Sequence, residues 1–578
     1  MKTNHFYLYF LLGVSFLTHP ISVLSQSLGN PIKQTNIARV NMMPNIPSSY
    51  KMLDWKSKAK AFDRYVFDWH RNDSVGPLIW LDNSHRNFDQ SAFGLYTAVK
   101  DIRQGLNNNG EFHESVNTMA AVLGAGLIGI DKTNQDGYNY VKMLQNYFNS
   151  AVGWNIMMNN TYSKVALIGG GYGRDWWYNI LPNALYYAVC DVFPHVQRAD
   201  SIQRIIADQF VRADSVLNGN YDFSSFNYNK MKGIINDIPF QQDAAGGHAY
   251  VLLCAYKKFG DKRYLYHCEK AIQTLESQKE SRFYEILLPL GIYTAAYLNA
   301  TEGTQYDLSK MFNWVFDGCK SPTGRTGWGI IVGKWGKYDV SGLQGSLTDG
   351  GGYAFLMNSI KLVWPFVSLV KYQPQYARTV GKWMLNNASA CRLFYPMQID
   401  KHHQWNSDLQ NITNDNIAYE GLRRVDSYSK PSLKGATPVA LGDGPRWING
   451  NPRESMFSVY SSSPVGILGA VISTTNIKGV LRLNCNATDF YMPRIYPEYL
   501  YYNPYKNKVK VFYLTSNKRC DLFDIVSKKY VAKNIISKTS IIIPPDSAMI
   551  IVELPAGTML IRNGTNIVAN GKIKISYK

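Results

Sequence analysis

Gly169-Gly170-Gly171-Tyr172-Gly173-Arg174-Asp175-Trp176-Trp177-Tyr178-Asn179-Ile180-Leu181-Pro182-Asn183 leads straight into Ala184-Leu185-Tyr186-Tyr187-Ala188-Val189. The glycines at its head reach backbone angles closed to other residues and set a sharp turn. The run that follows is apolar on nearly every side, which predicts a helix enclosed by other elements. A charged pair, three aromatics and two amides stand at the mouth of that helix.

Four other segments repeat this plan. Met119–Ile130, Ala244–Tyr256, Ile286–Leu298 and Tyr353–Val370 are apolar all round. Each, like the opening segment, is followed by a segment with one apolar face; after Ala184–Val189 it is Ile202, Ile205, Ile206, Phe210, Ala213 and Leu217 at helical spacing. A further pair is expected between Tyr50 and Gln104. Alternating enclosed and half-exposed helices suit two concentric rings, so residues 50–393 are expected to form an (α/α) toroid of five to six hairpins. A helical bundle with long crossovers is the alternative.

The pattern changes after residue 393. Short alternating runs, including Lys508–Tyr513 and Lys572–Ile575, and the Pro544-Pro545-Asp546-Ser547 turn between apolar runs predict antiparallel strands. The chain therefore reads as mainly α with a C-terminal all-β domain. Residues 458–578 are expected to be a β-sandwich, residues 394–457 a connector and residues 26–49 a polar leader. Residues 1–25 read as a secretory signal, with Lys2 before the apolar run Phe6–Leu17. That places the mature chain in the periplasm or outside the cell.

The 578 residues carry a formal net charge of +19. In an exported protein this favours acidic partners or a solvated basic surface. No basic helix or motif points to nucleic acid, and no later stretch is long and apolar enough to span a bilayer. The seven scattered cysteines form no CxxC pair, so no metal and no cofactor is expected.

Chemistry is expected where the enclosed helices begin. Their fronts carry Glu111-Phe112-His113-Glu114, Arg174-Asp175-Trp176-Trp177, Gln241-Gln242-Asp243, Arg282-Phe283-Tyr284-Glu285 and Thr348-Asp349. In a toroid these fronts converge on one bowl. Carboxylates beside aromatic rings suit glycan cleavage: one acid protonates the leaving oxygen, a second activates water or attacks carbon, and rings stack on sugar faces. Asp at a helix start is also a common N-cap, and that reading stands beside the catalytic one for each acid.

Asp175 and Asp243 are the favoured catalytic pair, followed by Asp349 and Glu114. Asp82 and Asp89 are further acids at an aromatic segment. His248 could serve as a base or sugar ligand, or sit satisfied in the core. Arg174, Trp176, Trp177, Tyr178, Asn183, Tyr250, Trp328 and Trp335 are the expected substrate contacts.

The order of α/α toroid then β-sandwich resembles the six-hairpin glycosidase and toroid polysaccharide lyase superfamilies. Asp175-Trp176-Trp177-Tyr178-Asn179-Ile180-Leu181-Pro182 resembles the paired-tryptophan segment of chondroitin- and hyaluronate-type lyases. Those enzymes carry an asparagine where Asp175 stands and an Ile-Gly-x-Pro run after the tryptophans. The resemblance implies a polysaccharide or oligosaccharide substrate, acidic in the case of a lyase. Three activities follow as expectations. The first is a glycoside hydrolase using the acids. The second is a lyase using Arg174 and Asn183 against a sugar carboxylate, with His248, Tyr178 or Tyr250 as base. The third is a glycan-binding protein whose acids are caps only.

Overall fold

The computed structural model describes residues 28–102, 114–164, 166, 174–319, 327–346, 352–425, 430–442, 444–447 and 449–577. Residues 1–25, the glycines at 169–171 and 173, and Asp349 lie outside the described residues.

The enclosed helices predicted from sequence form, and they touch in a closed cycle. They are α2 (Ser115–Leu127), α3 (Trp176–Val192), α5 (Ala244–Phe259) and α7 (Leu287–Thr301). The next position is filled by α9 (Leu356–Lys361) with α10 (Val363–Leu369), and the last by α12 (Val459–Ser462) with α13 (Val465–Val471). Helix α2 packs on α3, α3 on α5, α5 on α7, α7 on α10, α10 on α13, and α13 returns to α2. Every described residue of α7 from Leu287 to Leu298 is buried, as a helix surrounded on all sides requires.

Half-exposed helices lie outside this cycle. They are α1 (Trp55–Val66), α4 (Ala199–Leu217), α6 (Lys262–Ser277) and α8 (Leu308–Asp317); α11 (Ala377–Cys391) also lies outside the cycle but is buried at every residue except Arg378, because the C-terminal strands cover it. In α6 only Tyr264, Cys268, Ala271, Ile272 and Leu275 are buried, the single face that meets α5. Between α5 and α6 the chain reverses at Gly260, whose φ of 72° supplies the left-handed step that ends a helix.

The structure departs from the sequence reading in several places, among them Tyr353–Phe355, a strand at the start of the expected helical run Tyr353–Val370. Helix α1 is followed by a hairpin of β1 (Ile79–Asp82) and β2 (Ala92–Leu95) instead of a second helix. Its packing partner is α13, so the N-terminal and C-terminal parts of the helical region close on each other. The β region begins at Ile472, later than the expected Ser458, because Val459–Val471 is helical and completes the cycle.

Between α8 and α9 lie β5 (Trp328–Ile330), β6 (Gln344–Ser346) and β7 (Tyr353–Phe355), preceded in the chain by the hairpin β3 (Ser225–Asn227) and β4 (Lys232–Ile234). The connector supplies β8 (Gly421–Arg423) and β9 (Val439–Leu441), completing an antiparallel sheet in the order β9-β8-β7-β6-β5. Strand β7 runs directly into α9, which ties this sheet to the front of a central helix.

Most C-terminal strands form two stacked layers, and the last three (Leu560–Asn563, Asn566–Ala569 and Ile573–Ser576) form a separate antiparallel sheet. One sheet has the order β10-β11-β12-β17-β14-β15, from β10 (Ile472–Thr474), β11 (Leu481–Asn484), β12 (Glu498–Asn503), β14 (Cys520–Asp524), β15 (Lys529–Ile535) and β17 (Ser547–Pro555). The other pairs β13 (Val509–Leu514) with β16 (Lys538–Ile543). Alternation divides their side chains: Tyr501, Leu522 and Ile551 meet Val511, Tyr513, Ile541 and Ile543 between the layers. Leu500, Tyr502, Ile550 and Val552 point the other way and join the helical core. Gly381 of α11 permits that contact, since a Cβ there would lie 2.6 Å from the Cβ of Tyr502.

The segment after β11 closes the far end of the helix cycle. Tyr491 donates its hydroxyl to Tyr187 O at 2.7 Å, and Arg494 pairs with Asp191 at the C-terminal end of α3. Asp489 is fully buried, accepts from the hydroxyls of Tyr293 (2.6 Å) and Tyr372 (2.8 Å), and pairs with Lys371 at 2.6 Å.

Candidate active site

An arc of aromatic rings crosses the fronts of the central helices. Tyr178 and Trp177, in the first turn of α3, have ring centres 4.5 Å apart. Trp177 lies 6.4 Å from Tyr460 of α12, and Tyr460 stacks on Phe355 of β7 at 6.0 Å. Phe355 reaches Trp328 of β5 at 6.4 Å, and Trp328 meets Tyr284 edge-on at 4.7 Å. Arg423 of β8 lies over the Tyr353 ring at 4.4 Å.

Carboxylates and one lysine face this arc. Glu114 immediately precedes α2 and is buried, and both it and Tyr460 act on the Tyr178 hydroxyl through hydrogen bonding. Glu285, before α7, accepts from the Asn358 amide. Its backbone is fixed by Gln344, whose Nε2 donates to Tyr284 O (2.7 Å) and Glu285 O (3.0 Å).

Lys361 ends α9 with no exposed surface, its Nζ 3.0 Å from Met357 Sδ and 5.2 Å from the centre of the Trp177 ring. Burial lowers its pKa to about 7, against the opposing pull of Glu285 and then Glu114. Burial holds the Tyr178 and Tyr460 phenols well above their usual range; Glu114 and Asp175 add to the rise at Tyr178, and Tyr178, Glu114 and Glu285 at Tyr460.

The acids favoured from sequence occupy different places. Asp175 caps α3: its carboxylate accepts from the backbone N–H of Tyr178 at 3.1 Å and from the Gln241 amide at 3.3 Å. Asp243 is buried at the front of α5. Burial raises its pKa to about 8, backbone N–H groups of Tyr284 and Leu288 oppose the rise, and Glu285 adds to it. Asp82 is buried in β1 and accepts from Ser84 N at 2.8 Å, while Asp89 is on the surface beside His85.

Several expected contacts belong to the core. His248 turns away from the helix fronts, because five residues along a helix rotate a side chain by about 140° from Asp243. Its Nε2 is 2.8 Å from the Tyr228 hydroxyl, and its ring packs against Phe210 at 4.5 Å and Trp176 at 5.5 Å. Burial lowers its pKa to about 3. Trp176 shares that cluster. Asn183 holds Met157 through both backbone groups, and Tyr250 accepts from Trp364 Nε1 at 3.2 Å in the buried centre. Arg174 pairs with Asp237 at 2.7 Å, and Trp335 is buried against Gly352.

The structure thus brings together Glu114, Trp177, Tyr178 and Trp328 from the expected set, with Asp243 next to Glu285. It adds Glu285, Lys361, Tyr460 and Asn358. Glu285 stood at a helix front in the sequence, whereas Lys361 lies inside an apolar run with nothing to mark it. Among the described residues no cluster of His, Cys, Asp and Glu has the makings of a metal site. No described helix is long and apolar enough to cross a membrane.

Neither protein-family profiles nor curated proteins match the sequence. Solved structures do align. Ara127N-Se, a GH127 β-L-arabinofuranosidase from Geobacillus stearothermophilus T6, is 10% identical, with 90% of this chain and 85% of that one covered and a TM-score of 0.38. The cellulase Cel9M of C. cellulolyticum is 15% identical over 72% of this chain and 97% of its own, with a TM-score of 0.33. Endoglucanase CelQ from Clostridium thermocellum, complexed with cellotetraose, is 13% identical over 91% and 99%, with a TM-score of 0.34. By their names these proteins cleave carbohydrates, the class to which the sequence resemblance pointed.

Proposed function

We propose that the chain is an exported glycoside hydrolase, that its closed helix cycle is the inner ring of an α/α toroid, and that cleavage takes place at the fronts of those helices. One observation carries the reading: Glu114 and Glu285, from different helix fronts, both act on Lys361 and Tyr460 beside a continuous arc of aromatic rings. Two carboxyl groups beside rings that can stack on sugar faces are what hydrolysis of a glycosidic bond calls for.

Glu285 is the ionised partner in this reading. It has the larger pull on Lys361 and accepts the Asn358 amide, and both favour a carboxylate. It activates water or attacks the anomeric carbon. Glu114 protonates the leaving oxygen. Trp177, Tyr178 and Trp328 offer faces to sugar rings. Asp175 acts as a helix cap, and Asp243 holds a proton beside Glu285. The Met1–Ser25 segment motivates export, and the +19 charge motivates an acidic glycan as substrate.

The lyase reading loses two of its three bases, since His248 and Tyr250 are enclosed in the core, and the third, Tyr178, has its phenol held in the protonated form. The test is product analysis on neutral and uronic-acid polysaccharides, following reducing ends together with the ultraviolet absorbance of unsaturated uronates. Reducing ends without that absorbance, lost by at least about 100-fold in both Glu114→Gln and Glu285→Gln, support hydrolysis. Reducing ends with the absorbance establish elimination and overturn the reading.

A further inference from the structure

A polar cavity of about 590 Å³ lies away from the helix fronts, where the N-terminal leader, α11 and the β domain meet. Its lining is Gln34, Asn36, Asn41 and Asn45 from the leader, Arg378 and Lys382 from α11, and Asp546 from the turn before β17. The leader is fastened there by Thr35 N donating to Gln375 O at 2.8 Å and by the Gln34 amide donating to Pro374 O at 3.1 Å.

The charges in this cavity are not balanced. The Asp546 carboxylate is taken up by Arg378 at 2.7 Å and by the Tyr502 hydroxyl at 2.8 Å. The remaining donors of Arg378 go to Asp546 O at 3.1 Å and to the side-chain oxygens of Asn41 (3.0 Å) and Asn36 (3.4 Å). Lys382 is left over. It is 3% exposed, its ammonium donates to Asn41 O at 3.2 Å, and no carboxylate lies within ion-pair distance of it among the described residues. Burial and then the charge of Arg378 lower its pKa, which is the condition an incoming anion would relieve.

From this geometry we infer a second binding site for an acidic saccharide, with Lys382 receiving the sugar carboxylate and the surrounding amides its hydroxyls. A primary amide both donates and accepts, as a hydroxyl does; Gln34 is taken up by Ile32 O, Pro374 O and Arg378 N, and the amides of Asn36, Asn41 and Asn45 beside one ammonium match a ring that carries several hydroxyls and one negative charge. The cavity falls within the size range of small-molecule sites, and its polar lining selects against apolar ligands. The site shares no lining residue with the proposed catalytic group at the helix fronts. It would hold a chain already engaged elsewhere on the surface, raising its local concentration.

The test is calorimetric titration of the full chain with galacturonate, trigalacturonate, galactose and inorganic sulfate. Saturable uronate binding is expected, at least tenfold tighter than that of galactose. It should weaken at least tenfold in Lys382→Gln, weaken in Asn45→Ala, and persist in Glu285→Gln. Thermal unfolding of each variant checks that the fold is intact. No uronate binding in the wild type, or binding untouched by Lys382→Gln, overturns the inference. Sulfate binding as tight as that of the uronate, with Asn45→Ala neutral, assigns the cavity to a free oxyanion and overturns the saccharide. None of these outcomes depends on cleavage, so they are separate from the hydrolase test.

Discussion

The Lys361 ammonium lies 5.2 Å from the centre of the Trp177 ring, with no surface exposed to water. An amine so placed is expensive to keep charged unless carboxylates face it, and Glu285 and Glu114 do. In the proposed mechanism Glu285 in turn depends on that positive charge to stay ionised. Lys361→Met keeps the length and shape of the side chain and removes the charge. The acid limb of the kcat/KM profile should then move to higher pH, because a carboxylate without its cation gains a proton sooner. A variant with the same acid limb as the wild type, measured from reducing-end release across pH, would show that Lys361 does not hold either acid.

Asp175 separates capping from catalysis in one pair of substitutions. Asparagine is as good an N-cap as aspartate, whereas alanine leaves the Tyr178 N–H without its side-chain acceptor. Asp175→Asn should therefore unfold at the wild-type denaturant midpoint and retain cleavage within about tenfold. Asp175→Ala should lose about 1 kcal/mol of stability. A folded Asp175→Asn variant that has lost cleavage by 100-fold or more would restore Asp175 to the catalytic pair.

What could be read from the sequence, and what could not, follows from how far each signal extends along the chain. The long apolar runs before Val189, Tyr256 and Leu298 became α3, α5 and α7, because a helix buried on all sides needs many consecutive apolar residues. The alternating run Lys508–Tyr513 and the apolar run that ends at Ile543 before the proline turn fell in the paired strands β13 and β16 for a similar reason. The sheet β5–β9 stayed hidden, since strands of three residues carry no period and their partners are distant in sequence. Helix α13 was hidden too: Val465–Val471 is too short to distinguish helix from strand by pattern alone. At the site, helix fronts pointed to Glu114 and to Trp177 and Tyr178. They also pointed to His248, which lay near Asp243 in number but on another side of the helix. Lys361 stands at the inner end of a helix whose neighbours are apolar, and only packing reveals which groups it faces.

His248 provides a test of the core that needs no substrate. Its ordinary pKa of 6.5 falls to about 3 on burial. Between those values the unfolded chain binds a proton that the folded chain refuses, so stability falls as pH drops from 6.5 toward 3. At pH 5 this one residue should cost about 2 kcal/mol relative to pH 7. His248→Gln keeps a partner for the Tyr228 hydroxyl and cannot gain a proton. Urea unfolding at pH 7 and pH 5 should show a loss smaller by about that amount in the variant, whatever its stability at pH 7. Equal losses in the two proteins would mean that His248 reaches solvent or an acid when it titrates.

Closure of the helix cycle rests on a contact between two glycines, and the contact is asymmetric. A Cβ on Gly466 of α13 would lie 2.2 Å from Gly124 O and 2.3 Å from Gly124 Cα, backbone that cannot rotate aside. A Cβ on Gly124 of α2 would lie 3.1 Å from Gly466 Cα, a distance that a small shift relieves. Gly466→Ala should therefore force the helices apart at a cost of about 3 kcal/mol or more, while Gly124→Ala stays within about 1 kcal/mol of the wild type. Chemical denaturation of both variants measures the difference. Because α13 also carries the packing of α1, Gly466→Ala should additionally increase hydrogen exchange in Trp55–Val66, the outer helix that it holds in place. If both variants match the wild type in stability and in the exchange of α1, the N-terminal and C-terminal helices do not meet at these glycines and the cycle is open there.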